Sequence, residues 1–150
     1  MRTVDLGSLD FIERTSELDP TIRVRVAFPH SSAVGTASTA TVYFALEPGS
    51  HLGRHQDSAE ELLLVLEGEG EATVGGETVP ASEGSILTVP AMEPHDIRNV
   101  GSGLLRVLGF FSASTVVATF DEPAAKDGPQ VFVIGAPVRI AVPLGEPVLA

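Results

Sequence analysis

Apolar and polar positions alternate along this chain in short runs, separated by turn residues. Ile22, Val24, Val26 and Phe28 share one face of an extended segment, with Arg23 and Arg25 on the other. Residues 41–46 are rich in β-branched and aromatic side chains and stop at Pro48-Gly49. Residues 61–66 form the next run. Residues 71–74 and 77–79 flank Gly75-Gly76. That pair predicts a hairpin with a type I′ turn, which needs positive φ at both central positions. Residues 85–89 end at Pro90, and residues 95–100 and 104–111 flank Gly101-Ser102-Gly103. Short strands at roughly 8–12-residue spacing predict an all-β sandwich or barrel.

No long segment carries a helical period. Residues 123–129 (PAAKDGP) read as a loop. The tail, residues 130–150, alternates apolar runs with Pro137, Pro143 and Pro147. Those prolines remove backbone donors, so the tail is expected to form edge strands at most. It would cover a sheet edge or cross to a second subunit.

The run at 61–66 is apolar on both faces. Leu63 and Val65 share a face with Glu61, and Leu62, Leu64 and Leu66 take the other. An antiparallel strand usually leaves one face wet. The second apolar face therefore points to a homodimer, or to the tail as its cover.

The length of 150 residues suggests a single domain. Its expected barrel core is about 40–112, preceded by N-terminal strands over 1–39 and followed by a loop and edge-strand tail over 113–150. No cysteine is present, which removes disulfides and thiolate metal sites from consideration. The net charge of −11 repels phosphate backbones and anionic lipid, so no nucleic-acid or membrane partner is expected. No apolar run approaches the roughly 20 residues of a membrane helix. The N-terminus has no signal-peptide pattern. A cytoplasmic protein is the expectation.

The candidate chemistry precedes the leucine strand. His55 and Asp57 are two apart, so in extended chain both project from one face. Glu61 opens the next strand, and His95 opens another far along the chain. Histidine and carboxylate together suit a borderline or hard divalent metal. His51 would lie about 13 Å from His55 in extended chain, too far to share an ion unless the chain bends at Gly53. Without metal, Asp57 and Glu61 would face one buried spot, and one of them should have a raised pKa.

These residues sit in two segments that resemble the paired motifs of the cupin superfamily. The first family pattern is Gly, five residues, His, one, His, three or four, Glu, six, Gly. The chain has Gly49, His55, Asp57, Glu61 and Gly68 at those spacings, with Asp57 where the family has its second histidine. The second pattern is Gly, five, Pro, one, Gly, two, His, three, Asn. The chain has Gly84, Pro90, Met92, His95 and Asn99, with Met92 where the family has glycine. The resemblance implies a double-stranded β-helix, or jelly-roll barrel, usually dimeric, with a metal inside it. Carried over by position, the ligands would be His55, Asp57, Glu61 and His95. Two neutral histidines and two carboxylates cancel a dication's charge, which favours Fe²⁺ or Mn²⁺ and leaves Ni²⁺ or Zn²⁺ possible.

The expected function is that of a metal-dependent enzyme, dioxygenase-type, acting on a small organic molecule inside an apolar interior that includes Leu63, Val65, Ile97 and Phe110. Metal cupins also run isomerase, lyase and decarboxylase chemistry. A non-catalytic, ligand-binding sensor with a weakened site is a further alternative, as is a metal-free sugar-type isomerase or epimerase. Tyr43 is read as a core aromatic, and Arg54, Arg98 and Arg106 as surface residues.

Overall fold

The computed structural model describes residues 1–136. It is built of antiparallel strands in two sheets. The strands in chain order are β1 (Ile12–Thr15), β2 (Arg23–Ala27), β3 (Ala40–Leu46), β4 (His55–Asp57), β5 (Glu61–Glu67), β6 (Glu69–Val74), β7 (Glu77–Ser82), β8 (Ile86–Val89), β9 (His95–Asn99), β10 (Leu105–Phe111), β11 (Val116–Phe120) and β12 (Val131–Ile134). The first sheet runs β1-β2-β3-β10-β5-β8 and the second β12-β11-β4-β9-β6-β7. Consecutive strands therefore cross repeatedly between sheets, as the jelly-roll expectation requires. Among the described residues, no helix is long and apolar enough to cross a membrane.

The core lies between the sheets and follows from period-two alternation. On β10, Val107, Gly109 and Phe111 face inward and pair with Val65, Leu63 and Glu61 of β5. Phe44, Leu46, Val65, Ile97, Leu105 and Val107 are almost wholly buried. Each such side chain contributes about 1.5–3 kcal/mol by leaving water. Phe110, expected inside, is 44% exposed; Phe111 takes the inner position instead. A one-residue shift in a strand exchanges faces, and the run of two phenylalanines conceals which is which. Tyr43 is buried on the outer side of β3, where its ring packs 5.6 Å from Phe11 and its hydroxyl accepts from Arg106.

The Gly75-Gly76 hairpin forms with Val74 opposite Glu77. Of the two turn glycines only Gly75 has positive φ (60°), so the turn follows the type II′ pattern rather than I′. The 123–129 segment is a loop, and β12 is an edge strand of the second sheet. Pro137, Pro143 and Pro147 lie outside the described residues. The outer face of β5 is not covered within the described chain: Leu62 is 42% exposed, beside Ile86 at 69% and Phe110 at 44%.

Candidate metal centre

His55 and His95 meet because β4 and β9 pair in a register that sets them directly opposite each other. Their ring centroids are 4.1 Å apart. Asp57, two residues on, projects from the same face of β4. The ligating atoms of His55, Asp57 and His95 all lie within 4.8 Å of one another, and all three residues are buried. Glu61 comes from the facing sheet. Its Oε1 is 3.7 Å from His95 Nε2, beside the triad rather than within its 4.8 Å compass. Room for it comes from Gly109, where a Cβ would stand 2.6 Å from Glu61 Oε2 and 2.7 Å from Val42 Cγ1.

Both imidazoles are oriented by the main chain. His55 Nδ1 donates to the Gly53 carbonyl (2.8 Å) and His95 Nδ1 to the Glu93 carbonyl (2.9 Å). A carbonyl can only accept, so Nδ1 carries hydrogen on each ring and Nε2 faces the cluster. A second constraint acts on His55. Phe120 stacks on it at 4.6 Å and 19°, and the Arg14 guanidinium lies 3.8 Å from the Phe120 ring centroid.

The electrostatics separate the two carboxylates. Burial raises Glu61, and the nearby Asp57 charge adds to that. Burial also pushes Asp57 upward, but the attraction of His55 and His95 outweighs it and holds the group at about 2. For His95, burial lowers the pKa; Asp57, Glu61 and the Glu93 carbonyl overcome this and push it up to about 10. His95 Nε2 and Asp57 Oδ2 stand 3.2 Å apart without hydrogen-bond geometry, so both are buried polar atoms with no partner. Such orphaned groups are rare and call for an explanation. Two imidazole nitrogens and carboxylate oxygens around one point fit a divalent ion.

His51 is not part of this centre. Gly53 does bend (φ 102°), yet His51 is held 2.6 Å from Asp96 and 3.0 Å from Asp19. Asp96 in turn accepts from the Gly53 and Ile97 amides, which ties the bend to β9. Met92 keeps the left-handed conformation (φ 65°) although it is not glycine. Its amide donates to the Asp57 carbonyl (2.7 Å), and its side chain is 55% exposed, away from the cavity. Arg54 and Arg106 are surface groups paired with Asp121 and Glu67.

His55, Asp57, Glu61 and His95 line a cavity of about 330 Å³. Leu63 and Ile97 line it as expected, together with Phe44 and Phe111. Sequence reasoning missed Arg14, Phe120 and Phe132. They belong to short strands without clear alternation, and only topology brings them to the cavity.

Residues 42–111 match the family model described as the cupin domain. This stretch of the chain is a cupin domain. A gentisate 1,2-dioxygenase from Haloferax sp is 30% identical over 103 residues, covering 63% of this chain. The chain spans 29% of the length of that relative. Among solved structures, a predicted oxalate decarboxylase from Thermotoga maritima superposes with TM-score 0.64 at 24% identity, over 75% of this chain and 99% of the other. An oxalate decarboxylase–formate complex from Lactobacillus farciminis gives 0.67 at 18% identity, over 77% and 34%. Oxalate decarboxylase from Bacillus subtilis, studied for its Mn(II) centres, gives 0.58 at 20% identity, over 66% and 28%. At these identities the structural likeness establishes the shared fold.

Proposed function

We propose that this chain is a metal-dependent cupin enzyme of the dioxygenase type, acting on a small organic molecule held in the barrel cavity. The observation that carries this is the meeting of His55, Asp57 and His95 within 4.8 Å at the buried end of the cavity, with Asp57 Oδ2 and His95 Nε2 unpartnered. His55 and His95 would donate through Nε2, and Asp57 through Oδ2. Glu61 is the proposed fourth ligand. The oxygen-rich set favours Fe²⁺ or Mn²⁺, with Ni²⁺ or Zn²⁺ as alternatives. Such an ion supplies Lewis acidity and a binding position for oxygen or a chelating substrate. Glu61, buried and raised in pKa, is suited to hold a proton when it is not a ligand. The apolar walls keep water from the reacting end. The dioxygenase type is favoured by the similarity to gentisate 1,2-dioxygenase.

Metal analysis of the untagged protein tests this, followed by oxygen uptake with diketones, flavonols and catechols after Fe²⁺ loading. Protein that takes up none of Fe²⁺, Mn²⁺, Ni²⁺ or Zn²⁺ anaerobically is incompatible with the reading.

One observation favours a second reading, a non-catalytic ligand-binding cupin. The His95–Asp57 charge pair lets the pocket stand without an ion. Stoichiometric ligand binding without oxygen uptake would select it. A homodimer is also proposed, supported by the exposed outer-face residues Leu62, Ile86 and Phe110. Light scattering that returns the 15.6 kDa monomer mass would refute it.

A further inference from the structure

The walls of the cavity are more specific than its metal end. Five phenylalanines line it: Phe28, Phe44, Phe111, Phe120 and Phe132. Phe28 and the exposed Phe132 stack at 5.4 Å in that wall. A volume of about 330 Å³ is at the small end for drug-sized ligands, which typically fill roughly 300–1,000 Å³. A one- or two-ring molecule fills it; a two-carbon diacid leaves most of the apolar wall wet.

Charge points the same way. Among the described residues, Arg14 is the one arginine or lysine that lines the cavity. It is already committed: Nη1 donates to the Leu52 carbonyl (3.2 Å), Nη2 to the Glu122 carbonyl (3.0 Å), and its face lies on Phe120. A bidentate grip on a substrate carboxylate would have to disturb that arrangement. At the other end, Asp57 and Glu61 together cancel a dication. An added carboxylate would therefore enter a low-dielectric space with no free cation to meet it, and such burial is costly.

We propose that this cavity selects an uncharged aromatic enol or β-diketone, its chelating oxygens toward His55, Asp57 and His95 and its ring among the phenylalanines, and discriminates against carboxylate-bearing ligands. The chelating end and its charge balance rest on the metal-centre reading above; the preference for an aromatic ring and the lack of a free basic side chain rest on the walls.

Titration calorimetry of the full chain tests this, with benzoylacetone, salicylate and oxalate as probes. Mn²⁺-loaded and metal-free samples are both used, with metal content measured on each. Benzoylacetone and salicylate are both aromatic chelators, and of the two only salicylate carries a carboxylate. The expected result is benzoylacetone binding about tenfold or more tighter than either acid in both samples, and tighter again with Mn²⁺. Salicylate or oxalate binding as tightly as benzoylacetone in either sample overturns the proposal, as does absence of benzoylacetone binding in both. Protein that refuses Mn²⁺ yet still prefers benzoylacetone supports the proposal while removing the metal centre.

Discussion

His95 Nε2 lies 3.2 Å from Asp57 Oδ2 inside the barrel, and neither atom has a hydrogen-bond partner. The carboxylate compensates the charge of the imidazolium in the metal-free protein. Asp57→Asn keeps the shape and removes that charge. Breaking a buried pair costs about 3–5 kcal/mol, and the low end applies here because His95 can lose its proton. Denaturant unfolding of metal-free protein should show a loss of about 3 kcal/mol. Metal affinity should fall at least as far as the roughly 10–100-fold seen when only an outer-shell partner is lost.

The pKa shifts set opposite limits to metal-free stability. His95 is raised from 6.5 to about 10, so its contribution is full below pH 6.5 and lost as pH rises through 10. Asp57 is lowered from 3.8 to about 2, so its contribution is full above 3.8 and lost as pH falls through 2. Glu61 is raised, which erodes stability as pH climbs above 4.5. Thermal unfolding should therefore show maximal stability on the acid side of neutrality and a decline from pH 6.5 to 10. Metal binding has to release the His95 proton, so affinity should rise across that same window. Calorimetry in buffers of different ionisation enthalpy counts the protons. A pH-independent affinity between 6.5 and 9 would contradict the assignment.

Gly109 is the space into which Glu61 fits. Gly109→Ala puts a Cβ 2.6 Å from Glu61 Oε2. Overpacking of this kind costs about 1–3 kcal/mol. Glu61 should be displaced, with weaker metal binding and a stability loss in that range. A variant with unchanged affinity would show that Glu61 is not a ligand.

Met92 carries the reverse prediction. A side chain at φ 65° costs about 1–2 kcal/mol, and glycine relieves it. Met92→Gly should raise the melting temperature by about 2–4 °C per kcal/mol gained, less whatever the added freedom of the unfolded chain removes. The Met92 amide bond to the Asp57 carbonyl is a main-chain contact, so metal content should not change.

Much of this architecture was legible in the residues. Alternation located β2, and apolar or β-branched runs bounded by turn residues located β3, β5, β8, β9 and β10. The motif spacings located His55, Asp57, Glu61 and His95, since those positions sit at strand starts fixed by flanking turns. Other parts left no local mark. β1 reads Ile-Glu-Arg-Thr and has no apolar period, yet it carries Arg14 to the cavity. Phe110 and Phe111 are equivalent in composition, and only the pairing of Phe111 with Glu61 decides which is interior. The approach of Glu61 to Gly109 depends on two strands far apart in sequence and could not be inferred from either one.

Both imidazoles donate to main-chain carbonyl groups, at Gly53 and Glu93, and only His55 has an aromatic side chain, Phe120, stacked on it as a further constraint. Their direction is therefore tolerant of point substitution around the site: replacing a neighbouring side chain leaves the acceptor in place. It is correspondingly intolerant of changes in chain length. Inserting or deleting one residue between Gly53 and His55, or between Glu93 and His95, would turn a ring away from its partners while the composition of the pocket stayed almost the same.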